Sequence, residues 1–145
     1  MESFEVQVAT TDREREDAFR VRHDVFVEEQ GVDESQEYDA HDETATHFVA
    51  YDGDDPIGAA RLREYEDGVG KVERVAVLES RRGSGVGRAV MATLEQRAVM
   101  RGFDTLVLHA QTQAAGFYRT LGYERRGATF EEADIPHVEM RTSLA

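Results

Sequence analysis

The stretch "VLESRRGSGVGRAVMATLEQ", residues 77–96, decides how this chain is read. It leaves an apolar run, crosses a turn holding Gly83, Gly85 and Gly87, and continues with Val86, Val90, Met91 and Leu94 at helical spacing. A strand, a glycine-rich turn and a helix in that order leave main-chain N–H groups free at the helix start, where the helix dipole also favours an anion. Glycine suits such a turn because a Cβ would keep a phosphate off the backbone, and because an anion-holding nest needs positive φ angles. Arg81, Arg82 and Arg88 add positive charge at this point of a chain whose net charge is −13.

Two common phosphate motifs fail here. A Walker loop requires Gly-Lys followed by Ser or Thr, and the chain has no such tripeptide. A dinucleotide fingerprint beginning at Gly83 and Gly85 would need glycine where Arg88 stands.

Working outward, "FEVQVAT" at 4–10 alternates apolar Phe4, Val6 and Val8, as a half-buried strand does. Thr11 or Asp12 caps a following helix that carries Ala18, Val21, Arg22, Val25 and Phe26 on one face and stops at Gly31. Residues 31–45 read as an acidic, solvated loop with one short helical turn. Asp39, His41 and Asp42 lie within it, but an acidic surface loop accounts for them better than a metal site does.

"THFVAYD" and "PIGAARLREYE", separated by "GDD", read as a hairpin, and "GKVERVAVLE" as a further strand. The apolar set Val72, Val75, Val77 and Leu78 breaks strict alternation, which predicts an irregularity or burial on both faces. A helix from Val86 to about Arg101, the strand "FDTLVLHA", the short helix "QAAGFYRTLG" and the strands "YERRGATF" and "HVEMRTSL" around a loop "EEADIP" complete the chain. The order predicts a mixed α/β domain with a central sheet.

A length of 145 residues with 40% hydrophobic residues predicts one domain over 1–145 with a single core. No apolar run approaches the roughly 18 residues of a membrane span, and no secretory signal opens the chain, so a cytoplasmic protein without a membrane partner is expected. The absence of cysteine excludes disulfides, thiolate metal sites and a cysteine nucleophile. Thirty acidic residues against 17 basic ones repel nucleic acid at long range and resemble the surface of a salt-adapted protein. An acidic funnel for cationic substrates is a second reading of the same excess.

Arg82-x-x-Gly85-x-Gly87 at the strand-to-helix turn, with "AGFYRTLGYERRG" further on, resembles the GNAT superfamily of N-acyltransferases. "RHDVFVEEQGV", "THFVAYDGDDPIGAARLR", "LHAQTQAAGFY" and "ADIPHVEM" extend the likeness over nearly the whole chain, toward the ElaA-like or YjcF-like branch. The resemblance implies a twisted, mostly antiparallel sheet of about seven strands, splayed between the fourth and fifth and flanked by helices. It implies acetyl-CoA as co-substrate, no metal, and transfer of the acetyl group to a primary amine of a small molecule.

Carried over by position, the main chain of Arg82, Gly83, Ser84, Gly85, Val86 and Gly87, with Arg88, would hold the pyrophosphate. Val75, Ala76 and Val77 would run beside the pantetheine arm, and the Val77 N–H would polarise the thioester carbonyl. Phe117 would flank the cofactor, and Tyr118 matches the family's general acid. A phenol near pKa 10 and a thiol near 8.5 make proton transfer to the thiolate cost roughly 2 kcal/mol. Tyr118 as a core aromatic with a satisfied hydroxyl is the alternative.

For the base, Glu73 drawing a proton through water stands beside a surface-facing or salt-bridged Glu73, with Glu29 and His109 as further candidates. Arg22, Phe26, Glu29, Gln30, His109 and His137 are assigned to the acceptor pocket, where Arg22, Glu29 and His137 would form a polar cluster unless they serve as structural ion pairs. Without cysteine, an acyl-cysteine intermediate is excluded and direct attack in a ternary complex is expected. A non-catalytic acyl-CoA-binding module is the competing reading, and a homodimer is an open expectation.

Overall fold

The computed structural model describes residues 4–144. Its strands are β1 (Glu5–Val8), β2 (Thr46–Asp52), β3 (Asp55–Glu66), β4 (Val69–Val77), β5 (Thr105–Gln111), β6 (Glu124–Glu132) and β7 (Ile135–Ser143). They form one seven-stranded sheet in the order β1-β2-β3-β4-β5-β7-β6. All neighbours are antiparallel except β4 and β5, which the crossover through the glycine-rich turn and its helix makes parallel.

Helix α1 (Asp12–Arg22) starts at a capping box: Thr11 accepts from the Glu14 N–H, and the Glu14 carboxylate accepts from the Thr11 N–H. The chain then widens into a π-helix over His23–Glu29 and stops at Gly31, whose φ is 74°. A π turn re-aims the side chains that follow it, here Phe26, Glu29 and Gln30. Residues 31–45 hold a short helix α2 (Glu34–Glu37) and a 3-10 turn at Ala40–Glu43.

Helix α3 (Val86–Met100) and the short α4 (Ala115–Thr120) lie on the opposite face of the sheet from α1. Val90, Met91 and Leu94 of α3 pack there with Phe48, Leu62, Leu106 and Met140 in the larger core. On the other face Ala18, Val21 and Val25 pack on Val49, Ala59 and Ala76. That smaller core takes its sheet residues from β2 to β4, and among the described residues none of β5, β6 or β7 belongs to it.

The irregularity expected in β4 is a bulge. Ala59 pairs with Ala76 and Arg61 with Glu73, so three steps along β4 oppose two along β3, with Arg74 at a φ of 58°. The expected loop "EEADIP" is instead a tight hairpin: Glu131 and Glu132 belong to β6, Ile135 and Pro136 to β7, and Ala133 and Asp134 turn with φ of 51° and 61°. Alanine is an unusual residue for such a turn, so its sequence carries no hairpin signal.

Candidate active site

The last β4–β5 pair is Val72 with Leu108. Beyond it the strands part: β4 continues to Val77 along β3, and β5 continues to Gln111 along β7. The V-shaped gap opens into a cleft of about 1060 Å³. Gly58 and Val77 form a non-hydrogen-bonded pair, as the bond from the Leu78 N–H to the Ile57 carbonyl shows, so the Val77 main chain faces away from β3 into the V. Arg82 Nε donates to the Val77 carbonyl from that side at 3.1 Å.

Above the V sits the turn that opens α3. Gly85, at a φ of 91°, is the N-cap residue, and no side chain caps the first turn. Gly83 has a φ of 82°; an added Cβ there would meet nothing within 4 Å, and one on Gly85 only Phe4 at 4.0 Å. The turn is braced from behind by a hydrogen bond from the Ser84 hydroxyl to the Arg81 carbonyl at 2.6 Å and by an Arg81–Asp52 pair at 2.6 Å. Gly87 has another purpose: a Cβ there would lie 3.2 Å from Phe117, so glycine lets α3 and α4 approach. The uncapped N–H groups, open glycines and exposed Arg82 and Arg88 form a donor set suited to a polyanion.

Phe26, Glu29, Gln30, Glu73, Val75, Ala76, Val77, Arg82, Gly83, Gly85, Val86, Gly87, Arg88, His109, Phe117, Tyr118 and His137 all line this cleft. Ser84 and Arg22 do not, the first because it braces the turn. Tyr118 is buried beside Phe117 and Tyr123, with ring centroids 5.0 and 5.9 Å away. Burial pushes its phenol above the ordinary value. Its hydroxyl hydrogen-bonds no described residue, unlike that of Tyr123, which donates to Glu95 at 2.8 Å.

Two expectations need correction. Arg22 is wholly buried and lies outside the cleft, bonded to Glu37 Oε2 at 2.7 Å and to Asp42 Oδ1 at 2.8 Å. It therefore forms no cluster with Glu29 and His137. Glu73 accepts from Arg61 at 2.7 Å and Arg63 at 2.8 Å, with Lys71 Nζ at 3.3 Å. Burial alone would raise its pKa, but the hydrogen bonds from Arg63 and Arg61 and the Lys71 charge hold it at about 2. A carboxylate so stabilised is a weak proton acceptor.

Asp39 and Asp42 are likewise not unpartnered loop residues, since both bind Arg61, at 2.7 and 2.8 Å, Asp39 from an exposed position and Asp42 from a half-buried one. Arg74, thrown out by the bulge, reaches Glu37 at 2.8 Å. The ion pairs pin residues 37–42 onto β3 and β4. Among the described residues no group of three His, Asp or Glu side chains could hold a metal ion.

On the α1 side, Glu29 takes both Arg82 guanidinium nitrogens at 2.7 Å, which lowers its pKa, chiefly through the hydrogen bond. Gln30 accepts from Gln111 at 2.8 Å across the cleft. On the floor, His109 Nδ1 lies 3.1 Å from Glu132 Oε1, and His137 Nδ1 lies 2.6 Å from the Ile135 carbonyl. Glu132, Glu139, Gln111 and Arg61 escaped sequence reasoning. Glu132 was hidden by the hairpin turn, and Glu139 and Gln111 become neighbours of predicted residues only through the β5–β7 register.

The sequence model of the "Acetyltransferase (GNAT) domain" family matches residues 9–144. The chain is 43% identical over 134 residues to the uncharacterized N-acetyltransferase YjcF of Bacillus subtilis (strain 168), covering 92% of this chain and 95% of that one. Its structure is similar to a candidate N-acetyltransferase of Lactobacillus plantarum, with a TM-score of 0.92, 30% identity and 99% of both chains covered. It is also similar to Escherichia coli ElaA, with a TM-score of 0.83, 25% identity, and 97% of this chain and 99% of that one covered. Among the described residues no helix is long and apolar enough to cross a membrane.

Proposed function

The chain belongs to the GNAT acetyltransferase family, and from that premise we propose that it transfers an acetyl group from acetyl-CoA to a primary amine of a small molecule by direct attack with both substrates bound. Acyl transfer as such follows from the family. The observation that supports the finer reading is the V between β4 and β5, with the Val77 main chain turned into it below the uncapped start of α3.

The parts of the cleft divide the work. The N–H groups at the start of α3, with Arg82 and Arg88, hold the pyrophosphate; Val75, Ala76 and Val77 offer main-chain bonds to the pantetheine arm. The Val77 N–H donates to the carbonyl oxygen, where negative charge develops. Tyr118 supplies a proton for the departing sulfur. Burial makes its phenol a weaker acid, yet the same low dielectric strengthens its hydrogen bond to a developing thiolate. Phe26, Gln30 and the floor around His137 bound the acceptor side. With no cysteine in the chain, no acyl-cysteine can form.

Initial-rate kinetics that follow thiol release from acetyl-CoA over a panel of small primary amines test this reading. Intersecting double-reciprocal lines are expected, and parallel lines would overturn direct attack. Calorimetric binding of acetyl-CoA without turnover of any amine would identify an acyl-CoA-binding module instead.

A further inference from the structure

Two imidazoles and two carboxylates meet on β5, β6 and β7, outside the smaller core that α1 forms. His109 directly follows Leu108, the last β5 residue paired with β4, so it stands at the apex of the V beside Glu73. His109 pairs across the sheet with Glu139, Gln111 with His137, and Phe130 with His137, so these side chains share one face. The Ala133–Asp134 turn brings Glu132 onto the same face.

His109 Nδ1 lies 3.1 Å from Glu132 Oε1, and an ionised carboxylate only accepts, so the hydrogen of this bond sits on Nδ1. In the neutral imidazole the lone pair is then on Nε2. Nε2 lies 3.7 Å from Glu139 Oε1, so a proton arriving there enters the field of a second carboxylate. Phe130 packs edge-on against the ring at 5.0 Å and His137 Nε2 lies 3.9 Å from Glu132 Oε2. Two cations face this group: Lys71 of β4 acts on Glu132, and Arg141 of β7 donates to Glu139 Oε2 at 3.2 Å, which leaves Glu139 Oε1 toward Nε2. The other carboxylates lining the cleft are engaged: Glu73 by three cations, Glu29 by Arg82, Glu37 by Arg22 and Arg74, and Asp39 by Arg61 and Arg74.

We propose that His109 is the proton acceptor for the ammonium form of the substrate amine, with Glu132 positioning its ring and Glu139 stabilising the protonated Nε2. This rests on the amine-acetylation reading above. The ammonium gives one proton to Nε2, and the freed nitrogen lone pair forms the C–N bond as the C–S bond breaks. The thiolate takes the Tyr118 proton, the nitrogen's second proton restores the phenol, and His109 returns its proton to solvent. The net products are the amide, the thiol and one proton. Histidine suits the task because its ordinary titration lies near neutral pH.

The experiment compares wild type with His109→Gln and Glu132→Gln, using acetyl-CoA with ethylenediamine, tyramine and spermidine as probes. His109→Gln is expected to lower kcat by about 100-fold or more, to leave acetyl-CoA affinity unchanged by calorimetry, and to lose the acidic limb of the kcat/KM profile. Glu132→Gln is expected to keep acetyl-CoA affinity and to shift the acidic limb of the kcat/KM profile to lower pH, since a carboxylate beside the proton acceptor is lost. A His109→Gln enzyme with the wild-type rate and pH profile, or an acidic limb unmoved in Glu132→Gln, overturns the assignment. A wild type that binds acetyl-CoA but acetylates none of the amines overturns the underlying reading instead.

Discussion

At Gly85 the backbone conformation and the open space above it make different demands, and two substitutions separate them. A φ of 91° strains any residue with a Cβ, by roughly 1–2 kcal/mol. Gly85→Ala should therefore lower thermal stability by that amount and bind acetyl-CoA with a modest loss. Gly85→Glu adds a carboxylate where the uncapped α3 start and its dipole would receive phosphate, and should abolish binding with no greater loss of stability than alanine causes. Calorimetry and thermal melts on the pair decide the matter: equal affinities in Gly85→Glu and wild type would mean that the turn holds no phosphate. These glycines were legible in the sequence because so few residue types tolerate their conformation. The fate of Arg22 was not, since a buried arginine at a helical core position looks like any other charge until its partners, Glu37 and Asp42, are folded onto it.

At the scale of elements, the segment from α2 through the 3-10 turn has almost no apolar residue to bury, and its attachment to the sheet is ionic. Asp42 shows what this implies. Burial opposes its charge, but hydrogen bonds from Arg22 and Arg61 hold its pKa at about 2, as Arg63 and Arg61 do for Glu73. Both folded values lie below the ordinary carboxylate range, so the stabilisation is complete above about pH 5 and is lost as pH falls from there toward about 2. Each group contributes on the order of 2 kcal/mol, and because both bind Arg61 their effects are less than additive. Thermal melts from pH 7 to 3 should show a steep fall below pH 5, and Asp42→Asn should be less stable at neutral pH with a shallower acid dependence. An unchanged slope in that variant would mean that Asp42 is not held by the arginines. The elements themselves followed from periodicity and capping, whereas the π-helix, the β4 bulge and the Ala133–Asp134 turn arise where packing and ion pairs override local preference.

For the molecule as a whole, the charge of −13 is dispersed over a surface whose interior charges are already paired. Self-repulsion among the exposed carboxylates should destabilise the fold at low ionic strength, while the buried pairs are little screened. Raising KCl from about 0.1 M to about 1 M shortens the Debye length from about 10 Å to about 3 Å and should raise Tm. A Tm that falls over this range would show that surface ion pairs, not repulsion, dominate the balance.

The sequence by itself determined the order of elements, the glycine-rich turn before α3, the break in β4 and the family, because each is written in local spacing: period, glycine placement and short motifs. Only the tertiary structure decided which charges belong to the fold and which to the cleft. Glu73 and Arg22 went to the ion-pair network, while His109 gained Glu132 and Glu139. The physical reason is that a side chain's electrostatic character depends on partners brought from distant strands, and register across β5, β7 and β6 is set by the packing of whole strands, not by any short run of residues.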